Sequence, residues 1–175
     1  MAKALVATVV ALAALPAAAA IAPPDVSPVL RASAAEEPAL ALSEAGVNIF
    51  ECRPRAGVPG GYGWTFIAPD ATLYDGNRSV ARRTSPTLWE SSEDRTSVSG
   101  FARAAQNAGG DNLPWALYRA LPVGDTGLFA GVSSIQRVNT RGGVAPLTGC
   151  TEATAGSEQR VAFTADYYFY RVNGG

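Results

Sequence analysis

The chain contains no histidine, and Lys3 is its only lysine. Any acid–base chemistry would therefore fall to carboxylates, tyrosines or arginine-assisted carboxylates. The densest acidic group is Glu90, Glu93 and Asp94, with Asp70 and Asp75 on nearby turns. Glycoside hydrolysis needs two carboxyl groups facing each other across a cleft, one of them with a raised pKa. Glu90 beside Trp89 would supply such an acid next to a sugar-stacking ring, with Asp94 as the second carboxylate. A plainer reading of the same residues is preferred. Glu93 and Asp94 fall in a hairpin turn, where acids cap backbone N–H groups, and Glu90 is a strand residue facing water. No catalytic residue is assigned, and Glu90 and Asp94 stand as the only candidates. A serine nucleophile lacks both the G-x-S-x-G setting and a histidine base. Zinc would want further Cys or His ligands, and Asp75-Gly76-Asn77 and Asp111-Asn112 are too short for a calcium loop. Neither a metal nor a cofactor is expected.

Residues suited to binding are more numerous. Asp166 shares a strand face with Tyr168 and Tyr170, so it is expected to be buried and to need a partner, which Arg137 or Arg141 would supply. That pair reads first as a structural ion pair and second as a ligand clamp. Trp64, Trp89 and Trp115, with Tyr62, Tyr74 and Tyr118, would make an aromatic platform for a sugar or another flat ligand. Aromatics at strand spacing are more often core or cross-strand pairs, the reading favoured for Trp64 and Trp89. Trp115 follows Pro114 beside a glycine-bearing loop and is left open between the two. The candidate ligand-binding set is Trp89, Trp115, Tyr118, Arg137 and Asp166.

The elements that would position these residues are short strands. The clearest is Arg160–Arg171, RVAFTADYYFYR, in which Val161, Phe163, Ala165, Tyr167 and Phe169 alternate with the opposite face. Aromatic and β-branched residues at a period of two read as a long, mostly buried strand. Further strands are expected at Val47–Cys52, Trp64–Ala68, Thr72–Tyr74, Arg78–Arg83, Leu88–Ser91, Ser97–Phe101, Trp115–Leu121 and Leu128–Asn139. Phe101–Ala108 is read as a helical turn. About nine strands with turns at short intervals predict an all-β fold, an antiparallel sandwich or flattened barrel.

Met1–Ala20 has the charged start, apolar run and A-x-A ending of a secretory signal peptide. Residues 21–42, rich in Ala and Pro as far as Pro38, read as an exposed leader or tether whose end, with Leu40 and Leu42 alternating with small residues, is placed to pack on the domain, and 43–175 as a single β domain. No second apolar run of spanning length follows, so no membrane span is expected after signal removal. Cys52 and Cys150 are the only cysteines. Parity and an oxidising compartment predict a disulfide between them. Lys and Arg number 14 against 15 acids, a net charge of −1. That balance excludes the basic footprint of a nucleic-acid binder. The arginines are not clustered beyond Arg53/Arg55 and Arg82/Arg83, and scattered arginine on a β surface reads as plain solvation.

Six blocks then occur in order: NIFECR at 48–53, W-x-F-x-A-P-x-A-x-L at 64–73, PTLWESSED at 86–94, LPW at 113–115, IQRVNTRGGVAP at 135–146 followed by Cys150, and ADYYFY at 165–170. In these blocks the chain resembles the exported bacterial and fungal family known as domain-of-unknown-function family 3455, over about Gly46 to Arg171. The resemblance implies secretion, one compact β domain and a cysteine pair, and it carries no established activity. The family commonly has a histidine shortly before the Trp-Glu block, where this chain has Arg83. A histidine base or metal ligand at that position is thus excluded here. The only glycine-rich run, Gly57–Gly63, lacks G-x-G-x-x-G spacing and a following helix, so a dinucleotide site is unsupported. The expected function is a secreted or periplasmic, non-enzymatic module binding a small molecule, a glycan or an envelope protein. The alternative is a secreted, carboxylate-dependent hydrolase acting on glycans.

Overall fold

The computed structural model describes residues 20–174; the signal-peptide reading of residues 1–20 lies outside the described residues except for Ala20. Eight strands follow in order: β1 (Glu36–Pro54), β2 (Tyr62–Asp75), β3 (Arg78–Ser85), β4 (Leu88–Ser91), β5 (Ser97–Gln106), β6 (Trp115–Val123), β7 (Val132–Gly142) and β8 (Glu158–Val172). Each pairs antiparallel with the next, and β8 pairs back with β1, so the sheet closes on itself as a barrel. The all-β expectation holds, and of the two architectures the barrel is the one found.

Eight strands replace the expected nine because β2 runs unbroken through Pro69-Asp70. A proline interrupts a sheet only where its missing N–H would have bonded. Here β3 pairs with β2 only from Ala71 onward, so Pro69 sits where β2 has a neighbour on one side alone. Two further expectations are corrected. Phe101–Ala108 is not a helical turn; β5 extends to Gln106 because Ala102–Gln106 pairs with Tyr118–Trp115 of β6, and tertiary pairing overrides local helix propensity. Strand β7 starts at Val132 instead of Leu128, and the preceding turn folds Phe129 into the barrel end.

The exposed leader expected over 21–42 is corrected before its end, while the packing expected of Leu40 and Leu42 is found. Strand β1 begins at Glu36, opposite Val172, with an irregularity at Pro38 that lets the extended chain continue. Leu42 points into the interior, while Val26 and Leu30 are buried on the outside against Leu117 and Val138. Pro-rich composition disfavours a helix, but it tolerates an extended segment packed on a sheet. Gln136 ties this segment down: its Nε2 donates to Leu30 O at 2.5 Å, and its Oε1 accepts from Tyr170 at 2.9 Å. These contacts explain why Tyr170, on the outer face of β8, is nonetheless buried.

The interior is filled from one end. Phe129, Phe169, Trp89 and Tyr167 are all buried, with ring centroids 5.2 Å apart for Phe129–Phe169 and 5.6 Å for Trp89–Tyr167. Trp89 can lie across the barrel because Gly100 faces it: a Cβ there would approach Trp89 Cζ3 to 2.7 Å. The same end is closed by the turn carrying Asp94. Its carboxylate accepts from Thr96 N and Oγ1 at 2.9 and 2.6 Å and from Leu128 N at 2.7 Å, fixing the loop that delivers Phe129. Among the described residues, no helix is long and apolar enough to cross a membrane.

Candidate functional site

The opposite end is open. From Tyr62 to Asp70, β2 continues alongside β1 with no β3 partner, and β4 is only four residues long. The resulting mouth leads into a cavity of about 350 Å³. Its walls are apolar, with Phe50, Phe66, Pro86, Leu113 and Val144 in the lining. Phe50 and Phe66 meet as a tilted pair at 5.6 Å. Three polar side chains, Asn48, Arg83 and Arg137, reach the same cavity.

Arg83 belongs to a buried ion pair. Its Nε donates to Glu44 Oε1 at 2.7 Å and its Nη2 to Oε2 at 3.1 Å, with side chains only 4% and 0% exposed. The guanidinium lies between two rings, 5.8 Å from the Trp89 centroid and 5.5 Å from that of Phe163. Burial works against its charge, but the nearby Tyr167 and Glu44 outweigh that effect and hold its pKa above the ordinary range. At neutral pH Tyr167 is an uncharged phenol, so Glu44 is the anion that matters there. Burial pushes the Tyr167 hydroxyl well above the usual phenol range; Glu44 adds to this, and Arg83 and Arg137 oppose it.

Arg137 faces the interior directly opposite Tyr167 in the β7–β8 ladder, and its guanidinium sits 5.8 Å from the Tyr118 ring. Its Nε and Nη2 donate to Pro114 O at 3.1 and 2.9 Å. No ion pair among the described residues includes it. Asn48 is 4% exposed; its Nδ2 donates to Gly143 O at 2.9 Å, while its Oδ1 has no partner among the described residues. The Tyr167 hydroxyl is likewise buried without one. Such orphaned groups cost stability, and together they put unmet hydrogen-bonding capacity beside a net positive charge.

The cavity wall at 143–149 is fastened on several sides. Cys52 and Cys150 form a disulfide, as expected, bridging β1 to the end of this loop. Trp64 Nε1 donates to Thr148 O at 2.8 Å, so Trp64 anchors the wall more than it fills a core. Gly142 N donates to Asn112 Oδ1 at 2.8 Å and closes the third side.

The structure redistributes the expected site residues. Arg137 lines the mouth, and Tyr118 supports it from the interior. Trp89 is only 1% exposed and sealed among rings, so it is a core residue rather than a ligand platform. Trp115 packs half-buried on the outer face, with Val138 and Leu30, and does not line the cavity. Asp166 pairs with neither Arg137 nor Arg141: it sits on the outer face of β8 and accepts from Asn139 Nδ2 at 2.8 Å. The alternation was read correctly, but in a closed barrel the Asp166 face is the outside. Glu90 is exposed on the side of β4 opposite Trp89, and Asp94 is a turn clamp. Asp94's hydrogen bonds to Thr96 and then Leu128 hold its pKa far below the carboxylate range, the opposite of what a general acid needs. Arg83 is a buried partner of Glu44. Glu44 and Asn48 were not among the expected site residues, since nothing local marks a strand carboxylate as paired with a residue 39 positions on.

Fold and site together define a closed antiparallel β barrel with a packed end and a charged, apolar-walled mouth. The family model described as "Protein of unknown function (DUF3455)" matches residues 77–171, and the chain belongs to that family. No curated protein and no solved structure matches the chain.

Proposed function

We propose that this protein is a non-enzymatic, exported ligand-binding barrel that takes a compact amphipathic molecule at its mouth. One observation carries the reading: a buried amide acceptor without a partner and a guanidinium without a carboxylate face one open, apolar-walled cavity. Ligand sites have this composition, mostly apolar with a few convergent polar groups, and the volume falls in their usual range. Export is supported by the bonded cysteine pair, which suits an oxidising compartment, and by the leader pattern at the N-terminus. The hydrolase alternative finds less support, because Glu90 faces water and Asp94 is committed to backbone donors.

The test is a thermal-shift screen of small amphipathic compounds against the full chain, followed by amide chemical-shift mapping. A true ligand at a hundredfold excess over its Kd should raise the unfolding midpoint by about 5 to 10 °C. Shifts should concentrate on Asn48, Phe66 and Gly143, and Phe66→Ala should weaken binding. A screen in which every hit maps outside the mouth would refute the assignment.

A further inference from the structure

We propose that the ligand is a monocarboxylate built on a flat apolar body and carrying a hydroxyl donor. The inference rests on binding at the mouth, as proposed above, and adds the chemistry of the head group. The charges set the sign. Glu44 neutralises Arg83, leaving Arg137 as the uncompensated cation on the cavity wall. A single negative charge balances that arrangement, whereas a phosphate monoester would overshoot it and an amine would be repelled. Arg137 spends its Nε and one Nη2 hydrogen on Pro114 O, which fixes the group and leaves the Nη1–Nη2 edge of the guanidinium, a fork that suits the two oxygens of a carboxylate.

Hydrogen-bond demand sets the second feature. Asn48 spends its Nδ2 on Gly143 O, so the atom left over is an acceptor, Oδ1, buried on the cavity wall. An acceptor is matched only by a donor, which a carboxylate lacks at neutral pH; a hydroxyl on the same molecule supplies it. The third feature comes from the walls. Phe50, Phe66, Pro86 and Leu113 present ring faces and aliphatic carbon. A sugar would leave its several hydroxyls facing these groups unpaired, so an aromatic or compact aliphatic body fits better than a glycan.

The experiment titrates the full chain with a matched set: mandelate and 4-hydroxyphenylacetate, their parent phenylacetate, the methyl ester of each, and phenethylamine. Affinity is read by calorimetry and location by the amide shifts of Asn48 and Gly143. At least one hydroxy acid is expected to bind tenfold or more tighter than its methyl ester and several-fold tighter than phenylacetate, with phenethylamine not binding. Arg137→Gln should abolish the acid-over-ester preference, and Arg119→Gln, an exposed control on β6, should leave that preference unchanged. The acid-to-ester ratio on the parent protein needs no variant, so a poorly folding Arg137→Gln leaves the test intact. Esters or phenethylamine binding at the mouth as tightly as the acids would overturn the head-group inference alone. Absence of binding by every compound, with no shift at Asn48 or Gly143, would count against it and the mouth site together.

Discussion

Removing the Glu44 carboxylate should be among the most damaging single changes to this barrel. Glu44→Gln keeps shape and polarity but leaves the Arg83 guanidinium, 3% exposed, without its counter-ion. Arginine cannot escape by releasing its proton, so the buried charge stays uncompensated. Breaking such a pair from one side costs about 3 to 5 kcal/mol, which for a domain of this size lowers the midpoint by about 6 to 20 °C. The double change Glu44→Leu with Arg83→Met removes both charges and keeps a polarizable side chain between the Trp89 and Phe163 rings. It should recover most of the loss, since hydrophobic replacement of a buried pair is often neutral or stabilising. Urea unfolding of the parent, both single variants and the double variant reads these differences as midpoints at constant slope. The reasoning is refuted if Glu44→Gln lies within about 1 kcal/mol of the parent, or if the double variant is as unstable as the worse single one.

The remaining predictions concern the two ends of the barrel. Reducing Cys52–Cys150, which closes a separation of 98 residues, should remove about 4 to 5 kcal/mol of stability and loosen the 143–149 wall; an unchanged midpoint after verified reduction would contradict this. Gly100→Ala should cost about 1 to 3 kcal/mol by overpacking against Trp89, with a shifted tryptophan emission; parental stability and emission would mean that Trp89 does not cross the barrel there. Asp94 has a depressed pKa in the folded chain, so its contribution is complete above the ordinary aspartate value of 3.8 and fades as pH falls through the folded value. Asp94→Asn should therefore lower the midpoint at pH 7, and the gap to the parent should close below pH about 4; a gap that stays constant on acidification would refute the clamp.

Much of the architecture was legible without coordinates because strand alternation is a local property. Phe163, Ala165, Tyr167 and Phe169 were placed on one face by period alone, and all four are buried. The cysteine pair needed only parity and compartment. Alternation also put Asp166 and Tyr168 on one face correctly, but it does not say which face of a closed sheet is the inside. Helical propensity in FARAAQNA and the proline at 69 were local signals too, and cross-strand pairing overruled both.

The site was settled at a longer range. By itself, the sequence determined an all-β, disulfide-linked chain whose last strand is core, because those features depend on neighbours one or two residues apart. Only the tertiary structure decided that Arg83 meets Glu44, that Arg137 turns inward without a carboxylate, and that Asn48 holds an unused acceptor beside them. Those relations arise from the registers of β1, β3, β7 and β8 around a closed ring, and a one-residue slip in any of them would send the side chain to the opposite face.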